Sequence, residues 1–127
     1  MTTIPSATTL LIIDDSRVSR MMIRTLVLGK RPTWNVVEVA SGDDALVLAA
    51  AQTFTYCTMD INMPGMLGTD AAEILKRDYP ALRLTLFSAN IQESQKTRAA
   101  ELGVKFVAKP VSDKSVTEAL AFFEGPL

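Results

Sequence analysis

Histidine is absent from this 127-residue chain, and cysteine occurs once, at Cys57. The first absence removes histidine general bases and histidine phosphocarriers, and with a lone thiol it also removes Cys/His zinc sites. One cysteine cannot form an internal disulfide. Neither sign of charge dominates, because 13 Lys+Arg stand against 14 Asp+Glu, a formal net charge of -1. Without a positive field the segment is not expected to bind nucleic acid or to be drawn to anionic lipid. Long apolar runs are missing too. Met1 to Thr9 is polar and uncharged, and the stretch that follows, Leu10 to Ile13, is far too brief for a signal sequence or a membrane span. No membrane insertion and a cytoplasmic location are therefore expected.

What is present suffices for one compact domain. The 48% hydrophobic and 21% charged content is that of a globular chain, and this length buries on the order of two-thirds of its unfolded surface. Residues 1–8 read as a short N-terminal tail and residues 9–127 as the domain. Apolar runs of strand length alternate with segments of helical period, the pattern of a parallel sheet covered by helices on both faces.

The strands are expected at Thr9 to Ile13, Asn35 to Val39, Tyr56 to Met59, Leu82 to Phe87 and Val104 to Ala108. The first helix starts near Ser16 and stops at Gly29, with Val18, Met21, Met22, Thr25 and Leu26 as its packing stripe. Ser41 caps the second, whose first turn holds Asp43 and Asp44. The third spans Thr69 to Asp78, the fourth Ile91 to Leu102, and the fifth packs through Val116, Ala119, Leu120 and Phe123. The fourth has little apolar stripe and is expected to be the loosest. Cys57, the Met21-Met22 pair and Trp34 read as packing residues.

Chemistry gathers at the carboxyl ends of the strands. Asp14 and Asp15 end the first, Asp60 the third, Ser88 the fourth and Lys109 the fifth. In a parallel sheet ordered 2-1-3-4-5 these exits converge on one crevice at the topological switch point. Three carboxylates there repel unless a cation neutralises them, and an all-oxygen pocket suits Mg²⁺. Lys109 and the Ser88 hydroxyl then read as donors to a phosphoryl group, and Asp60, before the Met63-Pro64-Gly65 breaker, as the nucleophile that carries it. Taken singly, each has a plainer reading: helix cap for Asp14-Asp15, turn residue for Asp60, cap of the fourth helix for Ser88 or Asn90, solvated charge for Lys109.

Asp14-Asp15, the run from Asp60 through Asn62 to Gly68, Ser88-Ala89 and Lys109-Pro110 stand in one order on successive strand ends. Together they resemble the signature of the CheY-like response-regulator receiver domain of two-component signalling. The resemblance implies a flavodoxin-like doubly wound (βα)5 fold. It further implies Mg²⁺ held by Asp14, Asp15, Asp60 and the Asn62 backbone carbonyl, and phosphorylation of Asp60 by a histidine kinase or histidine phosphotransfer protein. Ser88 and Phe106 become switch residues, with Ser88 and Lys109 contacting the phosphoryl oxygens. The chain departs from the pattern at Leu67, Val111 and Phe106, the last lacking the hydroxyl of a common tyrosine.

The implied output is a downstream target protein bound on the face of the fourth helix, fifth strand and fifth helix. A stand-alone CheY-like messenger is expected first, with a phosphorelay intermediate or a receiver excised from a larger protein as alternatives. Enzyme turnover is not expected beyond self-catalysed transfer to and hydrolysis from Asp60. A Mg-dependent phosphohydrolase would need a second acid two residues past its strand-one nucleophile, where this chain has Asp14-Asp15-Ser16. A flavodoxin-like FMN protein would need a neutral or positive phosphate loop there.

Overall fold

A computed structural model describes residues 7–126, so most of the expected tail and Leu127 lie outside the described residues. Five strands alternate with five helices: β1 (Thr9–Ile13), α1 (Arg17–Lys30), β2 (Asn35–Val39), α2 (Gly42–Ala51), β3 (Tyr56–Asp60), α3 (Gly68–Asp78), β4 (Arg83–Ser88), α4 (Glu93–Leu102), β5 (Lys105–Ala108) and α5 (Asp113–Glu124). All neighbouring strands pair in parallel, in the order β2-β1-β3-β4-β5. The alternation of apolar runs led to the expectation of a parallel sheet covered on both faces, and the strand order is that of the flavodoxin-like fold implied by the resemblance.

The near-continuous hydrophobicity of the inner strands follows from cover on both faces. Leu11, Ile13, Cys57, Met59, Leu84 and Leu86 pack toward Ala45, Ala71, Leu75 and Ala99 of α2, α3 and α4. Leu10, Ile12, Phe87 and Val107 pack toward Ile23 and Val27 of α1 and Val116, Leu120 and Phe123 of α5. Cys57 is buried and its thiol is pushed well above its ordinary range by burial. Trp34 packs against Tyr56, which stacks on Phe123 at a centroid distance of 4.7 Å.

The first helix corrects the sequence reading. Val18 and Met21 are 61% and 56% exposed and Met22 is 40% exposed, while Ile23 and Val27 form the buried stripe and, of the expected residues, Leu26 packs against it. Apolar side chains stand on both faces of α1, and periodicity alone could not choose the face that meets the sheet. Gly29 does not end the helix; the C-cap is Arg31, whose N–H donates to the Val27 carbonyl. Among the described residues only Gly65 and Gly103 take a positive φ, so Gly29 stays helical and forms no left-handed cap. Smaller shifts occur elsewhere: β3 extends to Asp60, β4 starts at Arg83, and α4 starts at Glu93 after Gln92 without a side-chain cap.

Helix α4 buries only Ala99 of its own residues. A polar tether holds it: Arg98 donates to Thr69 Oγ1 at 3.1 Å and pairs with Asp70 at 2.9 Å and Glu73 at 3.2 Å on α3. Among the described residues, no helix is long and apolar enough to cross a membrane.

Candidate functional site

Backbone hydrogen bonds carry the sheet beyond its strand ends and fix the exits. Asp14 N–H donates to the Val39 carbonyl, Ile61 N–H to Phe87, and Lys109 N–H to Ser88. The parallel register therefore delivers Asp14, Asp15, Asp60 and Lys109 to one notch. Carboxylate oxygens of Asp14, Asp15 and Asp60 lie within 4.8 Å of one another. Lys109 Nζ bridges two of these acids, 3.1 Å from Asp14 Oδ2 and 3.5 Å from Asp60 Oδ1.

The environments of the three acids differ. Asp14 is buried, with Oδ1 accepting from Ser16 N–H at 2.8 Å and Oδ2 facing Lys109. Asp15 is exposed. Burial pushes the Asp60 carboxyl up to about 6, with Asp14 and Asp15 adding to the rise and Lys109 opposing it. A carboxyl raised by burial and by like charge gains most from a nearby cation. The donors are all oxygen, one acid is open to solvent, and no imidazole or thiolate belongs to the cluster, so the set fits a hard divalent cation such as Mg²⁺.

The plainer readings fail for several of these residues. The N-cap of α1 is Ser16, whose hydroxyl accepts from Ser19 N–H, so the aspartates do not cap that helix. Lys109 is two-partnered and mostly buried, not solvated. Neither Ser88 nor Asn90 caps α4. The cap reading survives for Ser41, with Asp43 and Asp44 in the first turn of α2.

Ser88 reaches the carboxyl end of β4 fully buried, but its hydroxyl is engaged locally, accepting from Asn90 N–H and donating to the Asn90 carbonyl, both at 3.1 Å. Asn62 lies in the exposed turn two residues beyond Asp60. Phe106 is half-buried against the α2–α4 side of the core. Leu86 pairs with Phe106 and Ser88 with Ala108, which places Ser88 and Phe106 on the same face as diagonal neighbours.

Two contributors escaped the sequence reading. Gly68 begins α3 so close to β3 that an added Cβ would overlap the Asp60 carbonyl oxygen and stand 2.8 Å from Ile61 Cα. Its position closing the run from Asp60 was a signal, but close backbone approach was not foreseeable. Arg20 donates to the Asp14 carbonyl at 2.6 Å and from Nε to Glu38 at 3.2 Å. Nothing in its spacing indicates that it turns back onto the preceding loop.

A cavity of about 440 Å³ lined by Ala49, Phe54, Tyr79 and Leu82 lies at the opposite, amino-terminal end of the sheet. Its lining is mostly apolar and includes none of the clustered acids, so the chemistry belongs to the notch.

Residues 10–121 match the family described as response regulator receiver domain. The chain is 33% identical to the chemotaxis protein CheY of Bacillus subtilis over 112 residues, covering 87% of this chain and 92% of that protein. It shares its fold with CheY4 of Vibrio cholerae, with a TM-score of 0.80 at 21% identity, covering 93% of this chain and 99% of that one. The CheY of Borrelia burgdorferi, solved as a CheX-CheY-BeF3-Mg²⁺ complex, superposes with a TM-score of 0.81 at 21% identity over 90% of this chain and 87% of that one.

Proposed function

The chain belongs to the response regulator receiver family, and from that premise we propose that Asp60 is the phosphoacceptor of a two-component signalling system. The observation that carries this reading is the joint placement of Asp14, Asp15, Asp60 and Lys109, with their carboxylate oxygens clustered and the ammonium within 3.5 Å of Asp60.

Asp60 ends the central strand and offers its carboxylate to the phosphorus of a phosphohistidine on a histidine kinase or histidine phosphotransfer protein. An O–P bond forms as the P–N bond breaks, and the imidazole leaves. Asp14, Asp15, Asp60 and the Asn62 carbonyl are the groups that would hold Mg²⁺, and the ion supplies charge neutralisation for acids and phosphoryl oxygens alike. Lys109 moves from carboxylate partner to phosphoryl donor with little displacement, since it already faces Asp60. Hydrolysis of the acyl phosphate by water resets the protein, so the chain is not an enzyme in the multiple-turnover sense.

The switch follows from the same geometry. Ser88 trades its local bonds with Asn90 for a phosphoryl oxygen, and Phe106, its diagonal neighbour, packs into the space released. Helix α4, with one buried residue of its own, is the element easiest to displace. Moving the equilibrium from 1:99 to 99:1 takes about 5.5 kcal/mol, within reach of two charge-assisted contacts and a cation. A downstream protein then reads the α4–β5–α5 face. We place the domain, residues 9–127, in the cytoplasm as a CheY-like messenger, with phosphorelay intermediate as the second reading.

Beryllofluoride with Mg²⁺ tests this. The wild type is expected to show amide shifts at Ser88, Phe106 and α4 by NMR, and Asp60→Asn none. An equal response from Asp60→Asn would overturn the assignment.

A further inference from the structure

We propose that Arg20 is a positioning residue for cation binding in the acidic notch, an inference that rests on the receiver reading above. The three acids are not equally free. Asp14 spends one oxygen on Ser16 N–H and the other on Lys109, so a ligand enters chiefly through Asp15 and Asp60. Asp15 is exposed, and its carboxylate reaches Asp60 across the notch from a direction that its backbone sets.

The peptide unit between Asp14 and Asp15 is planar, so fixing the Asp14 carbonyl fixes the position of the Asp15 Cα. Arg20 does this from one helical turn inside α1, donating from Nη1 to that carbonyl at 2.6 Å. The guanidinium is itself held: Nε donates to Glu38 Oε1 on β2 at 3.2 Å, and Glu38 is held from its other oxygen by Arg24 at 3.2 Å. Arg20 is 15% exposed and so is confined to this geometry. A planar fork serves a carbonyl and a carboxylate at once, which an ammonium cannot reproduce.

The test has a decisive sign. Arg20 is a positive charge beside a cation site, so Coulomb repulsion alone predicts that Arg20→Ala binds Mg²⁺ more tightly. Positioning predicts the reverse, a dissociation constant raised about tenfold, the range seen when groups that orient metal-binding residues are removed. Isothermal titration of the full chain with MgCl2, below the unfolding temperature of each protein, reads this without any phosphodonor. A raised constant for Arg20→Ala supports the inference; an unchanged or tighter one overturns it, whatever happens to thermal stability. Should Arg20→Ala not fold, Arg20→Lys decides: a raised constant supports the role and a wild-type constant removes it. A wild type that binds no Mg²⁺, or binds it equally as Asp15→Asn, would instead sink the receiver reading itself.

Discussion

Replacing Asp60 by asparagine should stabilise the cation-free protein at neutral pH while abolishing its chemistry. The Asp60 carboxyl is raised from 3.8 to about 6, first by burial and then by Asp14 and Asp15, against the opposing pull of Lys109. At 1.36 kcal/mol per unit this is an upper bound of about 3 kcal/mol. Screening by water in the open notch leaves on the order of 1 kcal/mol. The folded carboxyl holds its proton where the unfolded one has lost it, so the penalty is absent below about pH 4, grows between about pH 4 and 6, and is complete above that window. Asp60→Asn should therefore match the wild type in acid and exceed it by about 1 kcal/mol at pH 7, a few degrees in Tm. Urea unfolding in EDTA across this range measures the difference. A constant gain at every pH, or a loss at pH 7, would refute the electrostatic account of the notch.

Other substitutions separate the parts of the structure. Excess Mg²⁺ at a hundred times its dissociation constant should stabilise the wild type by about 2.7 kcal/mol in a thermal melt, and Asp15→Asn by much less. Lys109→Ala should still accept some phosphoryl group in an acetyl phosphate assay yet show little α4 response to beryllofluoride by NMR. Gly68→Ala forces a methyl against the Asp60 backbone and should cost about 1–3 kcal/mol in denaturant unfolding, with slowed phosphoryl uptake. Met21→Gln, on the exposed face of α1, should change stability by less than about 0.5 kcal/mol, whereas Ile23→Ala should cost about 2–5 kcal/mol.

The strand exits could be read from the chain because each buried strand is an apolar run that ends abruptly in a polar residue, as Ile13 passes to Asp14 and Met59 to Asp60. Convergence of those exits then follows from the sheet order. Helix α1 was misread because Met21, Met22 and Ile23 are consecutive, and two overlapping stripes satisfy the same period; only packing against Leu10 and Ile12 selects the second. The tethers escaped for a different reason. Arg20 to the Asp14 carbonyl and Arg98 to Thr69 are long side chains reaching backbone or distant helices, and no local pattern encodes where a guanidinium lands. The present engagement of Ser88 with Asn90 was equally invisible, because it depends on the path of the loop after β4.

Incubation with acetyl phosphate and Mg²⁺, trapping of the acyl phosphate with borohydride and peptide sequencing by mass spectrometry locate the residue that carries the phosphoryl group. One modified residue, Asp60, is expected, with no modification when EDTA replaces Mg²⁺. Modification at any other residue in place of Asp60, or undiminished uptake by Asp60→Asn, would contradict Asp60 as the phosphoacceptor.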